Sequence, residues 1–396
     1  MRPVPISNPP NPWASTEVEY LPELGAPEMK LEVFVDGTRN ILARNDSPDV
    51  GFTWSVNPYR GCFHGCAYCY ARPSHEYLSF GAGTDFERKI VIKPNAPALL
   101  RAAFAKKSWR RETVVFSGVT DCYQPLEASY RLTRGCLEVC VERANPAAII
   151  TKSALVERDA DLLAELGRVA ASHVTVSIPF WDAEKARAIE PYVPTPARRL
   201  RVVETLAKAG ISVGVNVAPI IPGLNDQDIP KILAAAREAG ARSAGHVMLR
   251  LPGPVKSVFE ERLRAALPLT ADRVLHRVRE TRGGKLYDSR FGVRGRGEGT
   301  YAEAIHALFE SAAARAGLRV DGAGLRPAES SREGRGTLPG FPGDRSGAIP
   351  SDVRVDEREA RQSGGCMSMA LPAPIAGGRL PARPGGGAQL ELPGLK

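Results

Sequence analysis

The sequence has 396 residues, 43% of them hydrophobic and 24% charged, which is an ordinary composition for a globular protein with a sizeable core. Its 53 Lys and Arg residues outnumber 44 Asp and Glu residues, giving a formal net charge of +9 that favours anionic partners but is also compatible with a solvated basic surface. Because no apolar run reaches the length of a membrane helix and no secretory signal is recognisable, we expect a soluble, cytoplasmic protein without membrane contact.

The first 45 residues are rich in Pro, Asn and Glu, and we expect an extended arm with one strand near residues 31–34. From residue 46 to residue 290, short apolar runs alternate with helical patterns, which is typical of strands buried on both faces. The predicted strands span residues 89–93, 113–117, 147–151, 173–178, 211–220 and 243–249. Helices are predicted near residues 96–106, 127–145, 157–171, 198–209, 228–239 and 256–265.

The alternation of strands and helices indicates βαβ units and a parallel sheet. About six such units predict an α/β fold of the partial (β/α)6 TIM-like barrel type rather than a complete eightfold barrel. In parallel architectures of this kind, functional residues lie at the carboxyl ends of the strands. Residues that directly follow a predicted strand are therefore the first candidates for a site.

The end of the sequence differs from the barrel region. Residues 291–321 contain a Gly- and Arg-rich loop and a helix predicted at residues 301–316. From residue 322 to residue 396, Gly, Pro, Ser and Arg predominate, and such a composition cannot bury enough apolar surface to offset chain entropy. We expect a disordered tail in which Cys366 is an exposed thiol.

Three cysteines lie close together in the segment NPYRGCFHGCAYCYARP. Cys62, Cys66 and Cys69 have the spacing C-x3-C-x2-C, in a loop that contains two glycines. A short flexible loop lets three thiolates converge on one small object, and iron–sulfur clusters are held by thiolates at such short range. Three cysteines on a cubane leave one iron without a protein ligand, and an open coordination position is typical of catalytic metal sites.

Other kinds of metal site remain compatible with these residues. His64 could complete a structural zinc site, which would make the chain a non-catalytic nucleic-acid-binding module. A fourth cysteine would instead complete an electron-transfer cluster, and Cys122 is the candidate for that ligand. Cys136 and Cys140, four residues apart on a predicted helix, could ligate a second metal, although such a pair is typical of a buried helix face.

The cysteine loop, with Tyr68 directly before its third cysteine, resembles the signature of the radical S-adenosylmethionine superfamily, in particular the spore-photoproduct-lyase-related (DNA-repair-photolyase-like) branch. The resemblance implies a [4Fe–4S] cluster on Cys62, Cys66 and Cys69, with S-adenosylmethionine chelated to the remaining iron. Electron transfer from the reduced cluster would then break the S–C5′ bond, giving methionine and a 5′-deoxyadenosyl radical. The resemblance also implies an external electron donor of the flavodoxin or ferredoxin type, with nucleic acid as the leading substrate class.

The resemblance implies that residues at the ends of several strands contact the cofactor. Thr120, Lys152 and Ser177 match positions that surround the cofactor in this branch. Asn216 and Asn225 lie in NVAPIIPGLND, which resembles the element that packs against adenine. Without the resemblance, a strand-end Lys would be read as solvated, Ser and Thr as helix caps, and PGLND as a turn.

The resemblance is incomplete at the step that returns a hydrogen atom. Tyr68 and Tyr70 match tyrosines that flank the third cluster cysteine in this branch, and we predict that they are catalytic. In spore photoproduct lyase, a cysteine two residues before the cofactor-contacting serine quenches the product radical. Gly118 occupies that position here, and Cys122 follows Thr120 by two residues. We predict Cys122 as a hydrogen donor, but the lyase activity itself is not implied.

Two segments rich in arginine are further candidates for substrate contact. Arg290, Arg294 and Arg296 lie among glycines and aromatic residues, an arrangement suited to phosphates and stacked bases and equally to a solvated loop. Glu190 and the arginine pair at 198–199 could bind ribose or substrate, or form a surface ion pair.

Overall fold

The architecture is a largely parallel sheet flanked by helices, in a computed structural model that describes residues 31–320. Its strands are β1 (Glu32–Val35), β2 (Leu42–Arg44), β3 (Trp54–Val56), β4 (Tyr59–Arg60), β5 (Lys89–Ile92), β6 (Val114–Phe116), β7 (Ala147–Thr151), β8 (Ser172–Ser177), β9 (Val213–Ile220), β10 (Ser243–Met248) and β11 (Arg319–Val320). Its α-helices are α1 (Thr84–Arg88), α2 (Ala96–Phe104), α3 (Glu127–Tyr130), α4 (Leu132–Glu142), α5 (Ala160–Val169), α6 (Ala183–Ile189), α7 (Pro196–Lys208), α8 (Ile229–Glu238), α9 (Val255–Ala266), α10 (Pro268–Glu280) and α11 (Thr300–Ala316).

The main sheet has the strand order β11-β10-β9-β8-β7-β6-β3-β2. Strands β3 and β6 to β10 are parallel to one another, and β2 is antiparallel at the edge. A helix lies in each connection between consecutive parallel strands, so the sheet consists of βαβ units. This topology confirms the predicted partial (β/α)6 barrel.

The parallel strands are largely buried on both faces, including the polar residues of β8, whose sequence is SHVTVS. Every residue of β6 and β8 is buried, and helices pack their apolar stripes against the sheet. In α8, for example, Ile229, Ile232, Leu233 and Ala236 are buried at helical spacing. Each fully buried aliphatic side chain stabilises the fold by about 1.5–3 kcal/mol.

The first barrel strand is not the one that the sequence pattern predicts. Residues 89–93 do contain a strand, but β5 pairs with β1 and β4 in a separate three-stranded sheet. The first barrel strand is β3, which pairs with β6 in parallel. Three residues are too short for a periodic pattern to be recognised. Since the cysteine loop follows β3 and β4, it lies at the carboxyl end of the first barrel strand.

The helix predicted at residues 127–145 is interrupted at Arg131, whose φ is 52°. The buried carboxylate of Glu127 accepts hydrogen bonds from the backbone N–H groups of Thr133 (2.9 Å) and Arg134 (3.2 Å). These are N–H groups of the first turn of α4, which have no partner within the helix. The interruption therefore lets one acidic side chain cap the start of α4.

The other helix predictions are confirmed within a few residues, including the C-terminal one, which is α11. The sequence pattern did not predict α1, α6 or α10, and the strand predicted near residues 31–34 is β1. The predicted arm before residue 31 and the predicted tail after residue 321, with Cys366, lie outside the described residues. Within residues 31–320, no helix combines the length and apolar character that crossing a membrane requires.

Two histidines, partly buried His246 and buried His306, connect β10 to α11. His306 Nε2 lies 2.8 Å from the carbonyl oxygen of Arg296, so it must donate its proton there. Its Nδ1 is then an acceptor, and His246 Nε2, at 2.6 Å, donates to it. Burial, followed by the charge that His306 would carry if protonated, lowers the pKa of His246 from 6.5 to about 4, so the His246 ring is neutral at pH 7.

This histidine pair predicts a loss of stability in mild acid. Between pH 6.5 and pH 4 the unfolded chain binds a proton at His246 that the folded protein does not, so the unfolding free energy falls as pH decreases. We expect a decrease of about 2 kcal/mol from pH 7 to pH 5, measured by urea unfolding. In His246→Phe the same decrease should be clearly smaller, and an unchanged decrease would contradict the assignment.

Candidate active site

A cavity of about 240 Å3 lies at the carboxyl ends of the parallel strands. The three cysteines of the loop line it, together with apolar side chains that include those of Val50, Phe52 and Met248. Its polar lining comes from successive barrel strands: Thr120 and Asp121 after β6, Thr151 and Lys152 at the end of β7, Ser177 at the end of β8, Asn216 within β9 and Arg250 after β10. The topology thus brings residues distant in sequence to one place.

The cysteine loop adopts a conformation that requires glycine. Gly61 has a φ of +75°, and a Cβ atom there would lie 2.8 Å from the His75 ring and 2.9 Å from the Phe86 carbonyl oxygen, distances that no side chain tolerates. The backbone N–H of Cys62 donates to that carbonyl at 2.9 Å, and the N–H of Ala67 donates to the Ile189 carbonyl at 3.0 Å. The loop is therefore fixed by contacts on two sides.

Arg72 is the principal support of this loop. Its side chain is fully buried and donates hydrogen bonds to the carbonyl oxygens of Gly65, Cys66, Ala82 and Gly83. It also pairs with buried Glu87 at 2.5 Å. A guanidinium group has five N–H donors in a rigid plane, so one residue can hold two backbone segments at a fixed separation.

Cys62 and Cys66 are buried and Cys69 is partly buried, in a site that disfavours an unpaired thiolate charge. Burial raises the pKa of each thiol, that of Cys66 to about 12. Asp121 and the other two thiols further raise the pKa of Cys62. Within residues 31–320, no three metal-binding side chains already converge on a single ion, and the thiols instead face a shared cavity. Binding of a thiolate-ligated cluster would displace these protons, so the donor set fits such a group.

Lys152 supplies a cation beside the thiols. Burial alone would lower its pKa, but neighbouring Cys66 and Glu190 raise it above its usual value, so the ammonium group stays charged. Its Nζ lies 5.7 Å from the centre of the Tyr68 ring. The Tyr68 hydroxyl donates to Glu190, which also pairs with buried Arg199. The prediction that Glu190 and its neighbouring arginine form a surface ion pair is wrong, because both are buried.

Asp121 is the most constrained acid in the cavity. It accepts hydrogen bonds from the Thr151 hydroxyl (2.7 Å) and the Lys152 backbone N–H (2.8 Å), and His64 Nδ1 lies 3.4 Å away. Burial alone would raise the pKa of Asp121, but His64 and these hydrogen bonds lower it to about 2. His64 lines the cavity with the cysteines, facing this carboxylate.

Three of the predicted cofactor contacts, Thr120, Ser177 and Asn216, lie in the cavity wall, and their polar groups differ in the hydrogen bonds that they make. The Thr120 hydroxyl donates to the Gly61 carbonyl at 2.6 Å, which ties β6 to the cysteine loop. Ser177 is buried and lines the cavity. Asn216 Oδ1 is a buried acceptor without a hydrogen-bond partner. Because buried acceptors are almost always satisfied, Asn216 indicates where a bound molecule would donate a hydrogen bond.

Asn225, the fifth predicted cofactor contact, does not line the cavity. Its Oδ1 accepts from the Ile221 backbone N–H at 2.6 Å, and its Nδ2 donates to the carbonyl oxygens of Pro179 (2.7 Å) and Pro219 (3.0 Å). Its side-chain groups are therefore used in holding the turn after β9. The expectation of a cofactor contact at Asn225 is wrong, and the turn interpretation is correct.

Of the remaining cysteines, the three within residues 31–320 do not line the cavity. Cys122 is fully buried in the main core, with its Sγ 3.8 Å from the Ser117 hydroxyl and 3.9 Å from the Phe116 carbonyl oxygen. It therefore lies behind the cavity wall, where it neither reaches a ligand nor joins the cysteine loop as a fourth ligand. Cys136 and Cys140 are buried in the same core on α4. Tyr70, by contrast, lines the cavity and is half exposed.

Two arginines of the Gly- and Arg-rich segment form ion pairs with carboxylates of the same chain. Arg294 is buried and pairs with Asp49, while Arg290 pairs with Asp288 at 2.6 Å and Glu298 at 3.0 Å. Arg294 is therefore used within the protein rather than presented to phosphates, whereas Arg290 is 61% exposed and its contact with phosphates stays a prediction. Arg294 instead joins this segment to residues preceding the first barrel strand.

The sequence analysis did not single out Arg250 as a site residue. Arg250 follows β10 directly, its guanidinium lies 5.3 Å from the centre of the Tyr70 ring, and its Nε has no hydrogen-bond partner. The rule that strand ends carry functional residues could have identified it, because Arg250 directly follows the strand predicted at residues 243–249. An isolated arginine in a sequence nevertheless carries no specific signal.

The two asparagines provide a matched test of this geometry. Asn225→Ala removes three buried hydrogen bonds and should lower the unfolding free energy by about 2–3 kcal/mol. Asn216→Ala removes an unpaired buried acceptor and should cost less than about 1 kcal/mol in the absence of ligand. Urea unfolding of both variants measures the difference. Equal destabilisation would contradict the separation into a structural and a cavity-facing residue.

Comparisons with known proteins agree with this geometry. An uncharacterized protein of Mycobacterium tuberculosis (strain ATCC 25618 / H37Rv) is 40% identical over 210 residues, which cover 52% of this chain and 62% of the relative. An uncharacterized protein of Methanocaldococcus jannaschii is 32% identical over 176 residues, covering 44% of this chain and 63% of the relative. The chain thus spans about three fifths of the length of the curated relatives it matches.

A solved structure of a spore photoproduct lyase variant with bound AdoMet and dinucleoside spore photoproduct has a TM-score of 0.53 to this chain. The match covers 77% of this chain and 87% of the other at 16% identity, and at that identity it establishes the fold alone. Residues 56–236 match the family model of the radical SAM superfamily. The chain therefore contains a domain that matches the radical SAM superfamily over these residues, and its fold is also found in spore photoproduct lyase.

Proposed function

We propose that this protein binds a [4Fe–4S] cluster through Cys62, Cys66 and Cys69 and uses it to cleave S-adenosylmethionine reductively to a 5′-deoxyadenosyl radical. The observation that carries the proposal is the shared cavity, which the three thiols and the polar ends of five barrel strands all line. When bound, the cluster would supply the electron that breaks the S–C5′ bond of S-adenosylmethionine. The protein's own residues bind and orient the molecules around that step.

The polar lining is suited to the functional groups of S-adenosylmethionine. Lys152 keeps its charge beside the thiols and is the cation for the carboxylate of the methionine moiety. Asn216 presents its unpaired oxygen to a hydroxyl or amino donor, and Ser177 offers a hydroxyl from the neighbouring strand. Thr120 can accept a further hydrogen bond through its remaining lone pair while it holds the cysteine loop.

The two tyrosines have different parts in this proposal. Tyr68 is buried and donates to Glu190, so it positions the wall under Lys152 rather than reaching a substrate. Tyr70 is half exposed on the cavity wall next to Arg250, where it can contact a substrate. Because Cys122 lies outside the cavity, the hydrogen-return step of spore photoproduct lyase has no counterpart in this residue, and we do not propose that activity.

A nucleic-acid substrate stays a prediction. It is supported by the net charge of +9 and by the fold shared with a lyase whose structure contains a dinucleoside. The burial of Arg294 and its pairing with Asp49 remove one of the contacts that the sequence had suggested for it. The electron required for the reaction would come from an external donor of the flavodoxin or ferredoxin type.

The cluster ligands can be tested against cysteines of the same chain. After anaerobic reconstitution, we expect about four irons per chain and formation of 5′-deoxyadenosine when dithionite and S-adenosylmethionine are added. Cys62→Ala should lose both the iron and the product, because two thiolates hold a cubane poorly. Cys136→Ala, the control at a buried cysteine of α4, should keep both.

Three results would contradict the proposal. These are a fully loaded cluster that yields no 5′-deoxyadenosine, full activity in Cys62→Ala, or a colourless protein that contains one zinc ion per chain.

Lys152 provides a test of cofactor binding. Lys152→Gln should weaken binding of S-adenosylmethionine to the reconstituted protein by about tenfold or more, which corresponds to about 1.4 kcal/mol, because it removes the cation for the carboxylate. Iron content should stay unchanged. Isothermal titration measures the affinity, and Lys208→Gln, an exposed lysine on α7, is the control. An unchanged affinity in Lys152→Gln would refute this assignment.

A further inference from the structure

A cationic patch covers the outer face of the cysteine loop. We call it the Tyr192 patch and define it as Phe63, Arg88, Arg187, Tyr192 and Arg262. The guanidinium of Arg88 lies 4.6 Å from the centre of the Phe63 ring and 4.7 Å from that of Tyr192, and it donates to the Tyr192 hydroxyl at 2.6 Å. The two rings are 5.2 Å apart. The patch is therefore built around two contacting aromatic rings.

The Tyr192 patch is attached directly to the loop that carries the thiols. Phe63 follows Cys62 in the sequence, and the backbone N–H of Tyr192 donates to the His64 carbonyl at 3.4 Å. A Cβ atom on Gly65 would lie only 3.0 Å from the Tyr192 ring. The aromatic pair therefore lies against the backbone between the first two cysteines.

The patch does not overlap the cavity, since none of its five residues lines it. Phe63, Arg88 and Tyr192 are partly exposed, and Arg187 is exposed on α6. A large partner could therefore contact the patch while the cavity stays open to S-adenosylmethionine and substrate. This separation distinguishes the patch from a substrate-binding surface.

The positive charge of the patch is not neutralised locally. Within residues 31–320, no ion pair joins Arg88, Arg187 or Arg262 to a carboxylate. Buried Glu87, the nearest acid to Arg262, is already paired with Arg72. The Nε of Arg262 has no hydrogen-bond partner. By contrast, Arg134 on α4 pairs with three carboxylates.

We propose that the Tyr192 patch is the docking surface for an acidic one-electron donor protein. This inference rests on the proposed function, which requires an electron at the cysteine loop. The exposed guanidinium of Arg187 and the partly exposed guanidinium of Arg88 lie beside two partly exposed rings, with Arg262 buried. Such a surface complements a negatively charged partner and would accelerate its association. One electron leaves the reduced donor, which is oxidised, and enters the site beside the patch, where it is consumed in breaking the S–C5′ bond.

The experiment compares a protein donor with a small one. Arg187→Glu reverses an exposed charge whose side chain bonds only to the Pro191 carbonyl in the described structure, and Arg88→Gln removes the stacked charge. We expect the dissociation constant of a bacterial flavodoxin for the reconstituted enzyme, measured by surface plasmon resonance, to rise about tenfold or more in Arg187→Glu. The ratio of flavodoxin-driven to dithionite-driven S-adenosylmethionine cleavage should fall in both variants.

The control is Arg168→Glu, an exposed charge reversal on α5, which should leave the affinity and the ratio unchanged. An unchanged flavodoxin affinity in Arg187→Glu and Arg88→Gln would overturn the proposal. A second result would also overturn it: the wild-type protein binds single-stranded oligonucleotide, the two variants do not, and the ratio of flavodoxin-driven to dithionite-driven cleavage stays constant. The patch would then bind nucleic acid. If the reconstituted wild-type protein did not cleave S-adenosylmethionine with dithionite, the proposed function itself would be refuted.

Discussion

The candidate site depends on the hydrogen bonds that the buried guanidinium of Arg72 makes to the cysteine loop. Those bonds fix the carbonyl groups of Gly65 and Cys66 relative to Ala82 and Gly83, and the pair with Glu87 compensates the buried charge. Breaking such a pair by removing one partner typically costs about 3–5 kcal/mol. The thiols can therefore face the cavity without the bound group having to organise the loop.

The parallel sheet then determines what surrounds the thiols. Each barrel strand ends at the same edge, so the residues after β6, β7 and β10 meet the cysteine loop although they are far apart in sequence. Lys152 lies beside Cys66 at this edge, and His64 Nδ1 lies 3.4 Å from Asp121. The cavity thus combines cations, a low-pKa acid and an unpaired acceptor, a set suited to a zwitterionic molecule such as S-adenosylmethionine.

Much of this arrangement could be predicted from the sequence, because buried parallel strands and closely spaced cysteines both leave strong local patterns. The sequence did not reveal β3, which is too short to show periodicity, or the separate sheet of β5. It also could not distinguish Asn216 from Asn225, since both lie in the segment NVAPIIPGLND and only the folded turn shows that the side chain of Asn225 is already hydrogen-bonded. Arg294 was misjudged because its partner, Asp49, lies more than two hundred residues away.

The central claim is that three protein thiolates hold a cubane whose fourth iron is free to bind S-adenosylmethionine. Mössbauer spectroscopy of the 57Fe-reconstituted, anaerobic protein tests this claim most directly, before and after addition of the cofactor. The account predicts that one iron in four changes its isomer shift when S-adenosylmethionine binds, while the other three stay unchanged. Four irons that all remain unaffected by saturating S-adenosylmethionine, or the absence of any cluster signal, would contradict it.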